Sequence, residues 1–298
     1  MLMTRDELER REERARRGEA PRAERAPAAR EAAEGEPSGR PLTVMVFAPT
    51  LEAREAYRRL LAGESVVSVP SWPPAMTLGS QVDCALVAVP PRAAFDATEA
   101  IHTLREEHPA LPIVCAADAG ERGGIVRAGG AHEVIRYADT AAVVAAAIQA
   151  ACTAALLERA AALLHSADGM PPALRYALVH LCAADPPPRA VAELAAAVPV
   201  HRRTLWYQWR QYVRDVPLRL EDVVTWVLLL RASILRLRGS SWTEAAAALG
   251  IHRHTVARAG KRLAGIRLPR AASDLTRAHA ATLRRAFLSK VLKPLLRD

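Results

Sequence analysis

The chain has 298 residues, 51% of them apolar, and a formal net charge of +9. Its four cysteines form no C-x-x-C pair, which favours buried reduced thiols over disulfides or metal ligands. No G-x-G-x-x-G or G-x-x-x-x-G-K-[ST] run supports nucleotide binding, and no Ser/His/Asp or paired-carboxylate pattern indicates catalysis. We therefore expect a protein that is not an enzyme and that holds neither cofactor nor metal.

Residues 1–40 form a charged segment with 10 Lys and Arg side chains against 10 Asp and Glu. Arg and Glu at helical spacings favour transient helix, and Pro, Gly and Ser near its end are typical of a linker. The segment lacks the apolar run of a secretory signal. It is therefore predicted to be a disordered tail on a cytoplasmic protein.

Residues 41–150 alternate short apolar runs with helical patterns, as in an α/β domain with a parallel sheet covered on both faces. The five runs are LTVMVFA, SVVSV, CALVAV, PIVCAA and EVIRY. Five strands and up to five helices in this length resemble a response-regulator receiver domain. Another flavodoxin-like or Rossmann-like module is the alternative.

The receiver resemblance implies four phosphorylation features: an acidic cluster for Mg²⁺, an Asp acceptor after the third strand, a Thr or Ser, and a Lys. The chain has none of them where the pattern puts them. Ala88 occupies the acceptor position, Ile135-Arg136-Tyr137-Ala138 replaces the Lys, and Asp83 and Asp118 lie outside the expected places. We predict a pseudo-receiver that takes up no phosphate.

An Ala-rich helix is predicted from about Thr140 to His165, with residues 151–171 connecting to the next domain. Two interpretations stay open. The helix extends outward and pairs with a second copy of the chain, or it packs within its own domain. The pseudo-receiver itself is interpreted either as a dimerisation module or as a sensor for a ligand or partner protein.

Two stretches 51 residues apart share a helix-turn-helix pattern. In the upstream unit Ala195, Val200 and Leu205 take the places that Ala246, Ile251 and Val256 take downstream. Gly250 marks the downstream turn, between a helix predicted at Thr243–Leu249 and a basic second helix, because glycine adopts positive φ at least cost. Pro199 replaces that glycine upstream, and proline requires a different turn.

A largely apolar helix is predicted between the two units, at Glu221–Leu237. At about 1.5 Å per residue it spans roughly 26 Å. Two units at its ends suit successive major grooves, which repeat at about 34 Å on one face of B-DNA. The apolar run VVTWVLLL is too short for a membrane span, which needs about 20 residues.

Two helix-turn-helix units joined by one helix resemble the DNA-binding domain of the AraC/XylS family of transcription regulators. The matching pieces are ELAAAVPVHRRTLWYQWR, VPLRLEDVVTWVLLLRASILRLRG and the second unit followed by GIRLP. The resemblance covers about residues 172–268 and predicts an all-α domain at 172–270. Pro199, the small Val256 and Ala257, and Gly260 depart from the family pattern.

Basic charge is concentrated where the repeat lies. Residues 187–298 carry 21 Lys and Arg against 7 Asp and Glu, whereas residues 41–186 carry 10 against 15. Such an excess favours a polyanion such as double-stranded DNA. The side chains predicted to project toward DNA are His201, Arg202, Arg203, Thr204, Trp206, Tyr207, Arg210, His252, Arg253, His254, Thr255, Arg258, Lys261 and Arg262.

Individual roles follow from side-chain chemistry. Arg203 and Arg253 are the first choices for base contact, because arginine binds guanine O6 and N7 through two hydrogen bonds. Thr204 and Thr255 lie early in their helices, where they either cap the helix or touch phosphate. Trp206 is assigned equally to DNA contact and to core packing.

Residues 271–298 are predicted to form a basic helical extension that either adds DNA contacts or covers the core. The whole chain is interpreted as a transcription regulator that binds specific DNA sequences and is controlled without phosphorylation. A homodimer and RNA polymerase are expected partners, and a membrane is not. The alternative is a protein-interaction scaffold whose domains dock a partner such as polymerase or a sigma factor.

Overall fold

The computed structural model describes residues 41–72, 75, 78–89, 97–117, 129–214, 216–268 and 277–296. The predicted tail at 1–40 lies outside these residues. The first half contains strands β1 (Thr43–Phe47), β2 (Ser65–Val69), β3 (Cys84–Ala88), β4 (Ile113–Ala117) and β5 (Glu133–Arg136). It also contains helices α1 (Leu51–Leu60) and α2 (Ala97–Glu107).

The five strands form one parallel sheet in the order β2-β1-β3-β4-β5. This is the flavodoxin-like order, so the predicted fold class is confirmed. Strands β3 and β4 are buried at every position, because helices cover both faces of the sheet. The helix predicted between β4 and β5 falls largely outside the described residues.

The longest helix, α3 (Ala141–His165), belongs to two hydrophobic cores. Its first half, including Ile148 and Ala151, packs with the sheet and α1. Its second half, including Leu157 and Leu164, packs with the helices that follow. Helix α3 therefore packs against both halves of its own chain, not within the first domain alone, and pairing with a second copy stays a prediction.

Helix α3 also has the length and apolar composition of a membrane span, and no other described helix does. However, 61% of its most apolar stretch is buried inside the protein. This burial is expected of a core helix that separates two packed layers.

The second half is helical, as predicted. Its helices are α4 (Pro172–Ala183), α5 (Val191–Ala197), α6 (Arg202–Tyr212), α7 (Leu220–Leu237), α8 (Trp242–Ala248) and α9 (Arg253–Ala259). Helix α7 matches the predicted connecting helix within one residue at its start. Its apolar side chains, among them Trp226 and Leu230, are buried in the helical core.

The C-terminal segment covers the core. Helix α10 (Arg277–Phe287) continues through a π-helical turn, Leu288–Leu292, into the short α11 (Lys293–Leu295). Leu283, Phe287 and Val291 on this segment are each at most 1% exposed. Of the two roles predicted for residues 271–298, the structure shows core packing for the part that it describes.

Polar contacts fix this segment to distant parts of the chain. Arg277 donates to the Gly63 carbonyl oxygen at 2.6 Å and pairs with Glu64 at 2.9 Å, both just before β2. Lys290 Nζ donates to the Leu263 carbonyl oxygen at 2.8 Å, and the Tyr212 hydroxyl donates to the Leu295 carbonyl oxygen at 2.7 Å. The C-terminal segment thus touches the turn before β2 and the ends of both helix-turn-helix units.

Phe287 tests the contribution of this segment to stability. Its ring lies 6.2 Å from the Trp226 ring in an edge-on arrangement and is 1% exposed. We expect Phe287→Ala to lower the free energy of unfolding by about 3 kcal/mol, because it leaves a cavity. The neighbouring Leu288 is 40% exposed, so Leu288→Ala serves as the control and is expected to cost less than about 1 kcal/mol. Urea denaturation measures both, and equal losses would contradict the packing described.

Candidate nucleic-acid interface

The upstream helix-turn-helix unit consists of α5 and α6. Ala195 on α5 packs with Leu205 and Trp209 on α6, and all three are buried. The connection runs through Val198, whose backbone is extended at φ −111° and ψ 126°. As predicted from Pro199, this turn uses no positive φ among its residues.

The downstream unit consists of α8 and α9. Ser241 and Glu244 form a capping box, in which each side chain accepts the other residue's backbone N–H at the start of α8. Gly250 follows with φ +63°, as the sequence predicts. A Cβ on Gly250 would lie 2.8 Å from Arg189 Nη1, so the turn needs glycine for its backbone and for this close approach.

Gly260 departs from the expected family pattern, and the structure supplies a packing reason. It is buried in the helical turn after α9, with the Leu268 side chain across it. A Cβ there would lie 2.9 Å from Leu268 Cγ. Gly265 ends this turn at φ +75°; Pro269, predicted to close the unit with it, lies outside the described residues.

Both second helices begin with histidine N-caps at equivalent positions. His201 Nδ1 accepts the Arg203 backbone N–H at 3.2 Å, and His252 Nδ1 accepts the His254 backbone N–H at 3.4 Å. The capping role predicted as one choice for Thr204 and Thr255 is therefore wrong, since histidine side chains cap both helices. Sequence reasoning missed this because histidine is not among the preferred capping residues.

The structure places all fourteen predicted DNA-facing side chains on the surface. All seven in the first unit and all seven in the second are exposed. The apolar partners Leu205, Trp209 and Val256 point inward from the same helices. The helical spacing alone correctly separated the two faces.

Trp206 belongs to the exposed face. It is 45% exposed, and the Arg210 guanidinium lies 5.0 Å from its ring centroid. Its neighbour Tyr207 is 58% exposed, and its hydroxyl accepts the Gln211 side-chain amide at 2.7 Å. The core role considered for Trp206 is therefore wrong.

Arg262 differs from the other basic side chains. Its Nη1 pairs with Asp222 Oδ1 on α7 at 2.5 Å. It therefore holds the end of the second unit against the connecting helix, although it remains 56% exposed. The two residues of this pair are 40 positions apart, so no short-range sequence pattern predicts their contact.

Two further polar contacts support the units, and sequence reasoning missed both. Arg189 pairs with Glu193 at 2.6 Å in the first unit and reaches the Gly250 carbonyl oxygen, 3.4 Å away, in the second. Arg238, at the end of α7, pairs with the buried Glu133 of β5 at 2.6 Å. The i,i+4 spacing of Arg189 and Glu193 was visible in the sequence, but the contact of Arg238 with the sheet was not.

The carboxyl ends of β1 and β3 carry no Asp or Glu at the positions that the receiver pattern uses. Ala48 and Val89 are buried at these ends, and Arg54 Nη1 donates to the Ala48 carbonyl oxygen at 2.7 Å. Asp83 lies at the opposite end, where it accepts the Thr43 backbone N–H at 2.8 Å. Asp118 lies outside the described residues, and the described part holds no metal-binding group of three or more His, Cys, Asp or Glu side chains.

The four cysteines are free and buried, as expected. Burial raises the pKa of Cys115 and of Cys182 to about 12, so both thiols stay protonated. Cys84 on β3 and Cys152 on α3 belong to the same hydrophobic core, and Cys84 Sγ lies 3.8 Å from the Ala85 carbonyl oxygen. These contacts support a packing role.

No family model matches the chain, and no curated protein matches its sequence. Among solved structures, full-length FixJ from B. japonicum is similar to it at 14% sequence identity. The match covers 70% of this chain and 97% of FixJ, with a TM-score of 0.34. So weak a likeness carries no weight, and the fold and the candidate interface rest on the residues described above.

Gly250→Ala tests the close packing of the downstream turn. We expect it to lower the free energy of unfolding by about 2 kcal/mol, because the new Cβ meets both the left-handed backbone penalty and the Arg189 side chain. Gly169 also has positive φ, at +70°, but has no neighbour within 4 Å. Gly169→Ala is therefore the matched control, with an expected loss of about 1 kcal/mol. If the two losses are equal, the Arg189 contact does not constrain the turn.

The pseudo-receiver prediction has a direct test. The full chain is incubated with acetyl phosphate and Mg²⁺, and its intact mass is measured before and after. Because Ala88 occupies the acceptor position, we expect no added phosphate. An aspartyl phosphate adduct would contradict the prediction that this domain takes up no phosphate.

Proposed function

We propose that the protein is a transcription regulator that binds specific double-stranded DNA sequences through two AraC-type helix-turn-helix units. The observation that carries this proposal is that α6 and α9 present equivalent exposed, basic faces. The two faces occur 51 residues apart in the chain, and each begins at a histidine N-cap. In such units, the second helix is the one that enters the major groove.

The geometry of the connecting helix supports binding by both units together. Helix α7 has 18 residues, hence a length of about 27 Å. Its first turn pairs with the downstream unit through Asp222 and Arg262, and Arg189 of the upstream unit reaches Gly250. These contacts keep the two units in a fixed relation, so the spacing of the two DNA elements would be fixed as well.

Charge gives the expected source of affinity. Residues 187–298 carry 14 excess positive charges, and the exposed basic side chains of α6 and α9 among them would contact phosphates and make binding fall steeply with salt. Arg203 and Arg253 are proposed to read bases, whereas the remaining exposed Arg, Lys, His and Thr side chains position the helices. Trp206 and Tyr207 offer stacking or apolar contact at the groove edge.

Regulation without phosphorylation completes the proposal. The receiver-like half joins the DNA-binding half through α3 and through the Glu133–Arg238 ion pair. We propose that a ligand or partner bound to this half acts through those contacts. A homodimer would strengthen DNA binding, and RNA polymerase is the proposed downstream partner.

Selection of bound duplexes from a random pool, with the full chain at near-physiological salt, tests this function. We expect enrichment of a motif with two elements about one helical turn apart. Arg203→Ala and Arg253→Ala should each weaken binding to that motif by about 1–3 kcal/mol, because each removes a bidentate base contact. Arg58 is an exposed residue on α1, so Arg58→Ala is the control and should leave the affinity for DNA unchanged.

The alternative outcomes are distinct. Salt-sensitive binding without an enriched motif would contradict sequence-specific reading. No duplex binding at all, together with partner binding that survives both arginine changes, would favour the protein-interaction scaffold instead.

A further inference from the structure

A cleft of about 960 Å³ lies between the sheet and the C-terminal helix, away from the candidate DNA interface. Its walls come from the amino-terminal edge of the sheet, from the segment between α2 and β4, from α3 and from α10. Leu42, Leu111 and Leu156 form part of its apolar lining. This volume is in the usual range for small-molecule sites, which hold a few polar groups among apolar walls.

Arg284 places a largely buried positive charge in this cleft. Its guanidinium donates to the Gln149 carbonyl oxygen at 3.2 Å, to Gln149 Oε1 at 2.8 Å and to Thr153 Oγ1 at 3.3 Å. All three acceptors are neutral, and no described carboxylate lies within ion-pair distance of Arg284. Burial lowers the pKa of Arg284, while Cys152, Cys84 and the more distant Glu64 carboxylate, which itself pairs with Arg277, oppose that shift.

Two more arginines line the same cleft. Arg159 on α3 and Arg285 on α10 are exposed, and within the described part of the chain neither forms an ion pair or side-chain hydrogen bond. Two carboxylates also line it: Asp83, which accepts the Thr43 backbone N–H, and the exposed Glu107. The lining therefore has an excess of positive charge, and a buried charge without a counter-ion is costly.

We propose that this cleft binds a small amphipathic organic anion. The arginine cluster of Arg159, Arg284 and Arg285 takes the carboxylate, sulfonate or phosphate group, and the apolar walls take the rest of the molecule. Arginine suits this role because its planar guanidinium offers paired donors to such groups. The anion supplies the direct ion-pair partner that no described carboxylate gives Arg284.

The elements that line the cleft also contact the candidate DNA interface. Helix α10 supplies two of the three arginines, and its continuation carries Lys290, which donates to Leu263 after α9. Bound anion would hold α10 against α3 and the sheet. The ligand site itself is independent of whether the protein binds DNA, so it can be tested alone.

The test uses 8-anilinonaphthalene-1-sulfonate, which joins a sulfonate to apolar rings, and the full chain. We expect saturable fluorescence enhancement with one binding site. N-phenyl-1-naphthylamine has the same rings without the sulfonate and should bind at least about tenfold more weakly, since a charged hydrogen-bond partner contributes about 1.5–3 kcal/mol. Equal affinity for both dyes would overturn an anion site.

Charge variants locate the sulfonate. The double variant Arg159→Gln with Arg285→Gln should raise the dissociation constant for the dye by roughly tenfold, because it removes charged hydrogen-bond donors to the sulfonate. Both side chains are exposed, so their replacement leaves the core packing intact. Arg58→Gln on α1 is the matched control and should bind as the unchanged protein does. An unchanged dissociation constant in the double variant would contradict the proposal.

Cavity-filling variants locate the rings. Ala281 lines the proposed cleft, whereas Ala286 lines a neighbouring apolar hollow that shares Arg285 and Leu288 with the cleft. Ala281→Phe should abolish dye binding, and Ala286→Phe should preserve it. The reverse result would place the dye in the other hollow and overturn the assignment, with thermal unfolding of each variant confirming that it is folded.

Discussion

The burial of helix α3 in two hydrophobic cores, one along each half of its length, is the constraint on which the rest of the structure depends. A helix with this many apolar side chains must bury most of them against other elements. The sheet covers one part of α3 through Ile148 and Ala151, and the helical bundle covers another through Leu157 and Leu164. The receiver-like and helical halves therefore share a structural element, and a flexible linker between them is absent from the described chain around α3.

Polar contacts join the same two halves that α3 connects. The Glu133–Arg238 pair joins β5 to the end of α7, next to the start of the downstream helix-turn-helix unit. Arg277 and Lys290 of the C-terminal segment reach the segment before β2 and the end of that same unit. The first half of the chain thus has direct physical contacts with the candidate interface.

Much of this architecture was predictable from short-range sequence patterns. Apolar runs gave the strands, and the spacing of Ala246, Ile251 and Val256 gave the downstream unit, because both signals depend only on helix and strand period. The same spacing placed every predicted DNA-facing side chain on the surface. Gly250 was predictable because a single backbone angle demands it.

What the sequence could not supply depends on contacts between distant residues. Arg262 was assigned to DNA, but the structure pairs it with Asp222, 40 residues away. The C-terminal segment was left between two roles, and its docking rests on contacts such as Tyr212 with Leu295, 83 residues apart. The histidine caps escaped notice for a different reason, since capping preferences favour Ser, Thr, Asp and Asn.

Native-state hydrogen exchange of the Leu157→Ala variant tests the central claim that the two halves form one cooperative unit. Leu157 is 1% exposed and packs with the helical half, so its truncation should cost about 3 kcal/mol. If α3 couples the two cores, the slowest-exchanging amides of β3 and of α7 should lose protection by the same amount. Loss of protection in α7 alone, with β3 unchanged, would contradict the account.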